Sequence, residues 1–236
     1  MDVILKNRSI AIIPARGGSK RILRKNIKEF YGKPLIAYSI QAALESKLFD
    51  KIIVTTDDEE IASVAKKYGA NVPFIRPKEL SDDFTGTTDV VTHALQWLKD
   101  NGESYDYVCT IYATAPLLQS KYLIEGFEKL QNSDAINAFS ATSMPFPIQR
   151  TFKISNDERC EMFWPENYNT RSQDLEEAYQ DAGQFYWTKV DQHSNEIMFG
   201  KDSIPIILPR HLVQDIDTLE DWQRAEIMYK VIKEQE

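Results

Sequence analysis

Apolar residues follow two alternating rhythms along this chain. Short runs rich in Ile and Val, SIAIIP (9–14), KIIVTT (51–56), VPFIRP (72–77) and DYVCTIY (106–112), read as buried strands. Between them, PLIAYSIQAALESKLF (34–49), DEEIASVAKKYG (58–69) and TTDVVTHALQWLKDNG (87–102) space their apolar residues as helices do, with Gly69 and Gly102 placed as C-terminal stops. A further helix, KYLIEGFEKLQNS (121–133), and a strand, AINAFSA (135–141), continue the series. Alternating strand and helix imply right-handed crossovers, hence an α/β fold with a mostly parallel sheet and helices on both faces.

The rhythm breaks at Met144 into a stretch dense in proline, aromatics and charge that runs to about Tyr179 and reads as an inserted arm with short antiparallel strands. It resumes with QFYWTKV (184–190), IPIIL (204–208) and a closing helix, TLEDWQRAEIMYKVIKEQE (218–236). No internal repeat appears, so residues 1–236 are expected to form one domain carrying an arm at about 144–179. Ligand crevices in such sheets lie at the carboxyl ends of the strands, which directs attention to the segments after residues 14, 56, 77 and 112 and before the last helix.

Composition narrows the classes. With 236 residues, 42% of them hydrophobic, one sizeable core is expected. MDVILKNRSIAIIP lacks the uninterrupted apolar stretch of a secretion signal, and no segment approaches the roughly 20 apolar residues that span a bilayer. A soluble cytoplasmic protein with no membrane partner is the expectation. Cys109 and Cys160 have no CxxC pairing and read as buried, inert thiols, while His93, His193 and His211 lack metal-ligand spacing. A net charge of −8 and a pI near 5.1 argue against nucleic acid as a partner.

Against that acidic background PARGGSKRILRKN (14–26) is a local exception directly behind the first strand. Gly17 and Gly18 open backbone angles that let peptide N–H groups turn toward an anion. Arg16 offers a forked donor set, and Lys20, Arg21 and Lys25 add charge suited to a polyphosphate. Neither GxxxxGK[ST] nor GxGxxG matches, which removes support for a P-loop ATPase or a dinucleotide oxidoreductase. A merely solvated basic turn is the competing reading. In QDIDTLEDW, from Gln214, alternation sends Asp215 and Asp217 to one side, as Mg²⁺ beside a phosphate site requires. Capping of the last helix by Asp217 with Glu220, or by Thr218, would use the same residue types.

Taken in order, IAIIPARGGSKR, RKNI, GKPLIAYSI, VTTDDEEIA, RPKELSDD, YATAPL, NTRSQDL, DAGQFYW and QDIDTLEDW resemble the acylneuraminate cytidylyltransferase family over nearly the whole chain, and most closely its pseudaminic acid branch. The resemblance implies a Rossmann-like nucleotidyltransferase sheet and a reaction of CTP with a nonulosonic acid. It places Arg16 and Lys20 at the triphosphate, Lys25 and Asn26 beside the nucleotide, and Ala15, Gly17 and Gly18 among the nucleotide-binding residues. Arg76 and Thr87 fall at nucleotide contacts, and Asp215 and Asp217 at a Mg²⁺ pair. Tyr112, Thr114, Arg171, Gln173 and Tyr186 fall at the sugar, Arg171 being suited to its carboxylate. Of Phe185, Tyr186 and Trp187, alternation lets Tyr186 face the site while its neighbours face the core. The family's arm helps form a homodimer, with a neighbouring subunit able to complete the sugar site.

Three departures stand out: Leu23 where RIPRKN is common, Ala113 in place of a proline, and Tyr112 where sialic acid enzymes typically carry glutamine. The implied chemistry is attack by the anomeric hydroxyl of the sugar acid on the α-phosphorus of CTP, with Arg16, Lys20, Asp215 and Asp217 as catalytic residues. Neuraminic or legionaminic acid are the alternative substrates. A non-catalytic nucleotide sensor is the alternative of another class, disfavoured by retention of both aspartates.

Overall fold

The computed structural model describes residues 7–195 and 198–235. The first six residues of the N-terminal segment and the last residue of the closing helix lie outside them. The chain runs through β1 (Ser9–Pro14), a hairpin of β2 (Glu29–Phe30) and β3 (Lys33–Pro34), α1 (Leu35–Ser46), β4 (Lys51–Thr55), α2 (Glu59–Lys67), α3 (Thr87–Asp100), β5 (Tyr107–Ile111), α4 (Ser120–Gln131) and β6 (Asn137–Ser143). Then come β7 (Phe152–Ile154), β8 (Cys160–Met162), β9 (Tyr179–Lys189), β10 (Ser203–Ile207) and α5 (Leu219–Gln235). Among the described residues no helix is long and apolar enough to cross a membrane.

Six strands form the central sheet in the order β10-β6-β9-β5-β1-β4. β1 pairs in parallel with β4 and β5, and β10 with β6, while β9 runs antiparallel between β5 and β6. The sheet is thus mostly parallel, as the alternation predicts. Side chains of β1 sort by parity. Ile10 and Ile12 pack with Ile53, Val91 and Leu98 beneath α3, whereas Ala11 and Ile13 join Ile36, Ile40, Val54 and Ile61 on the opposite face. Full burial of each isoleucine contributes about 1.5–3 kcal/mol, so two covered faces fix the register of the central strands.

Helix ends follow their local chemistry. Asp58 caps α2 by accepting from the N–H groups of Glu60 and Ile61. Gly69 and Gly102, with φ of +98° and +80°, supply the left-handed step that ends α2 and α3. One expected strand is absent: 72–77 is extended loop, attached to the sheet edge by a single bridge between Ile53 and Asn71. Pro73 and Pro77 cannot donate to a ladder, and Phe74 packs edge-on against His93 and at a tilt on Trp97. Its apolar character serves α3, not a strand.

Residues 144–178 leave the sheet between β6 and β9 and contain the β7–β8 pair with short 3-10 turns. Cys109 is fully buried in β5 and its thiol is raised well above its ordinary pKa by that burial, but Cys160 on β8 is exposed, contrary to the expectation for both. Every residue from 144 to 178 is exposed or half-buried, Cys160 with them.

Candidate functional site

The basic loop after β1 is braced from four directions. Ile22 is buried with Phe30, Ile216 and Trp222, fastening the loop to the base of α5. Asn26, itself buried, donates from Nδ2 to the Arg16 carbonyl at 2.9 Å. Arg24, with φ of +55°, forks onto Asp58 and also reaches Glu60. The Gly17 N–H donates to Asp57 Oδ1 at 2.9 Å, so this peptide is committed to the protein. A β-carbon on Gly17 would stand 2.8 Å from Asp58 Oδ2, which is why a residue without a side chain sits there.

Over this loop lies a cavity of about 530 Å³. Arg16, Lys20, Lys25 and Asn26 line it from the loop, Arg76 and Thr87 from the approach to α3, and Tyr112 and Thr114 from the segment after β5. Ala15, which donates its N–H to the Thr55 carbonyl at 3.0 Å, and the two glycines carry the backbone that presents these side chains. Arg76 is 4% exposed, with Nε on Ser81 Oγ at 3.1 Å and Nη2 3.8 Å from Asp57. Burial pulls its guanidinium below the ordinary value, Asp57 opposes this, and the nearby positive charge of Arg16 adds to it. Such a cluster of cations favours an anionic ligand.

In this structure the anion is internal. Asp83 Oδ1 accepts from Arg16 Nη1 at 2.7 Å, and its other oxygen pairs with Lys20. Those two contacts, Lys20 first, hold the Asp83 carboxyl below the usual range. Asp82 shapes the turn by accepting from the N–H groups of Phe84 and Thr85, which aims Asp83 at the loop.

Ile216 is buried and points opposite to its neighbours, leaving Asp215 and Asp217 on the outer side as alternation requires. Thr218 and Asp221 form a reciprocal cap: the Asp221 N–H donates to Thr218 Oγ1 at 3.2 Å and Asp221 Oδ2 accepts the Thr218 N–H at 2.8 Å. Helix capping therefore falls to this pair and leaves the Asp215 and Asp217 side chains free of it. Asp217 Oδ1 contacts Arg21 Nη2 at 2.7 Å and Lys25 Nζ at 3.5 Å, both from the cavity wall. The Asp215 carboxyl is raised by desolvation and then by the charge of Asp217. Two adjacent carboxylates, one of them short of positive partners, form a donor set that suits a hard divalent cation completed by substrate oxygens.

Thr87 and Tyr112 also border a second cavity of about 270 Å³, where Tyr186 lies. Tyr186 faces this space while Phe185 and Trp187 are wholly buried, and its ring lies 5.2 Å from that of Tyr112. Arg171 and Gln173 do not join either cavity: both are exposed on the arm, Arg171 bonded through Nε to Asp174 at 2.6 Å. Leu23 is exposed and Ala113 buried at the two positions where proline is the common residue. Asp57, Asp83 and Asp181 escaped the sequence reading. For Asp83 the signal was present as an acid in RPKELSDD, a segment otherwise read for its arginine.

A three-layered α/β sheet with a cation-lined cavity at the carboxyl end of its first strand defines a nucleotide-handling enzyme. Residues 10–226 match the family model described as cytidylyltransferase. The chain is 48% identical to a pseudaminic acid cytidylyltransferase of Campylobacter jejuni, over 95% of this chain and 97% of that one. It is 30% identical to a CMP-N,N'-diacetyllegionaminic acid synthase of Legionella pneumophila, over 96% and 98%. A solved structure of CMP:2-keto-3-deoxy-manno-octonic acid synthetase complexed with CTP superposes with a TM-score of 0.69 at 14% identity, covering 95% of this chain and 99% of that one. The last likeness concerns the fold alone. The chain belongs to the cytidylyltransferase family.

Proposed function

We propose that this enzyme couples CTP to pseudaminic acid, giving CMP-pseudaminic acid and pyrophosphate. The observation that carries the reading is the convergence of Arg16, Lys20, Lys25 and Arg76 on one cavity that meets a second at Thr87 and Tyr112. The larger cavity takes the nucleotide and the smaller the sugar. The 48% identity to the Campylobacter jejuni protein, against 30% for the Legionella pneumophila one, favours pseudaminic acid as the acceptor.

The anomeric hydroxyl attacks the α-phosphorus, the bond from that phosphorus to the bridging oxygen of the β-phosphate breaks, and the hydroxyl proton is released to solvent as pyrophosphate leaves. Charge is the obstacle, since an anionic sugar must approach a polyanion. Arg16 and Lys20 stabilise the negative charge that grows on the leaving pyrophosphate, an electrostatic contribution that dominates such transfers. Arg76, braced by Ser81 and held near Asp57, adds a fixed donor fork. Asp215 and Asp217 are the residues that would hold Mg²⁺, which supplies Lewis-acid neutralisation of phosphate oxygens when bound.

The reading includes a cytoplasmic homodimer. Supporting it, the arm exposes Phe146, Phe152, Ile154, Phe163 and Tyr168, apolar surface that a second copy would cover. An arm docked on a neighbouring site would carry Arg171 and Gln173 toward the sugar. The test is pyrophosphate release from CTP, ATP, GTP and UTP with a panel of nonulosonic acids, with and without Mg²⁺. Turnover with CTP and pseudaminic acid is expected; absence of turnover with every sugar would refute the proposal.

A further inference from the structure

β9 is irregular where it borders the smaller cavity. Its pairing with β6 shifts register between Phe139 and Ala141, which face Tyr186 and Asp181 respectively. Between these pairs a single β6 residue, Ser140, thus opposes four of β9, residues 182–185, and the surplus is taken up around Gly183, whose φ is +62°. Ser140 Oγ secures the bulge by accepting from the N–H groups of Gln184 and Phe185 at 3.1 and 3.2 Å. In a regular strand Asp181 and Tyr186, an odd number of residues apart, would face opposite sides. The bulge brings both onto the cavity wall, where the Tyr186 hydroxyl donates to Asp181 Oδ2 at 2.6 Å and the Gly183 N–H donates to Oδ1 at 2.9 Å.

This arrangement fixes the polarity of the cavity. Burial, then Tyr112, then Asp181 push the Tyr186 phenol far above its ordinary pKa, so the hydroxyl keeps its proton and spends it on Asp181. Its oxygen then offers only lone pairs, as does the carboxylate. This wall is therefore negative and acceptor-rich, while the Arg16, Lys20 and Arg76 side of the adjoining cavity is positive.

We propose that Asp181 is a specificity-determining residue of the sugar cavity: it accepts a hydrogen bond from an N–H or O–H group of the acylamino sugar acid and turns the sugar's own carboxylate away from this wall. The proposal rests on the reading that the sugar occupies this cavity.

Steady-state pyrophosphate release with CTP and pseudaminic acid tests it in the full-length enzyme, using Asp181→Asn, Asp181→Ala, Tyr186→Phe and the Asp181→Ala/Tyr186→Phe double variant. Asp181→Asn keeps shape while removing charge, so it reports even if the alanine variant folds poorly. At least a tenfold rise in KM for the sugar is expected in Asp181→Asn, with KM for CTP within twofold of wild type. The double variant is expected to exceed Tyr186→Phe alone in sugar KM. If Asp181→Asn leaves sugar KM within twofold while wild type turns over, the inference fails and the functional reading stands. Equal sugar KM in Tyr186→Phe and the double variant would also overturn it, because Asp181 would then act only by holding Tyr186. A wild type that binds CTP but turns over no sugar would overturn the functional reading and this inference together.

Discussion

Asp83 accepts a hydrogen bond from Arg16 Nη1 at 2.7 Å, so an acidic side chain from the turn before α3 occupies a guanidinium that faces the larger cavity. Lys20 shares the same carboxylate. If the triphosphate binds Arg16 and Lys20 as proposed, it competes with Asp83 for both cations and must displace it. Both pairs are solvent-exposed and individually weak. Replacing Asp83 by Asn is expected to lower KM for CTP by about two- to fivefold. A raised KM in the same steady-state assay would instead show that Asp83 positions the cations productively.

Lys20→Ala removes a charge that is 77% exposed in the side chain and holds no core contact, so the fold should be retained. If its charge meets the leaving pyrophosphate, kcat should fall about 100- to 1000-fold, the size of loss seen when one preorganised stabilising donor is removed. Circular dichroism and thermal melting on the same sample check that structure is intact.

The two jobs that sequence left open before α5 separate by mutation. Thr218→Ala removes one arm of the reciprocal cap and should lower stability by about 0.5–2 kcal/mol in urea unfolding, with the Mg²⁺ dependence of turnover unchanged. Asp217→Ala should abolish turnover while the melting temperature changes little. A melting shift without loss of turnover in Asp217→Ala would assign that residue to structure.

Gly17→Ala tests the close approach of the loop to α2. The new methyl would press on an Asp58 carboxylate already fixed by Arg24 and by the first N–H groups of α2, so it cannot simply rotate aside. A loss of about 1–3 kcal/mol is expected, as for overpacking elsewhere, together with weaker CTP binding by calorimetry.

The Arg24–Asp58 pair also makes a pH prediction. Hydrogen bonding to Arg24, and then to the Ile61 N–H, lowers the Asp58 pKa below its unfolded value. A lowered carboxylate pKa means stabilisation that is complete above the unfolded pKa of about 3.9 and is lost as pH falls through the folded one. The stability gap between wild type and Asp58→Asn should therefore be constant near neutrality and close below about pH 4. A gap that widened with acid would reverse the assigned sign.

Much of the frame was legible because parity and period are local. The alternation of Ile10 and Ile12 against Ala11 and Ile13 shows in the sequence and recurs as two separate clusters under opposite helices. The geometry of Asp215 and Asp217 followed from the same parity, with Ile216 buried between them. The run at 72–77 misled because Phe74 is apolar for the sake of α3, a tertiary reason that spacing does not carry. Asp83 and its cations are more than 60 residues apart, and the face on which Asp181 lies depends on a bulge that inverts parity. Arg171 and Gln173 stand exposed on the arm, outside both cavities, so the placement that the motif implies has no counterpart within this chain's own fold.

Placing β9 against the grain of the sheet has an evolutionary corollary. Among the described residues, those that line the larger cavity run from Pro14 to Thr114, while Asp181 and Tyr186 reach the neighbouring cavity on a strand threaded in later. In the proposed reading, acceptor choice thus leans on one inserted strand, flanked in the chain by the cationic loop before it and by Asp215 and Asp217 after it, with the two cavities touching at Thr87 and Tyr112. A lineage could vary the cavity-facing residues of β9 and acquire a new sugar while the residues before and after that strand kept their grip on the nucleotide.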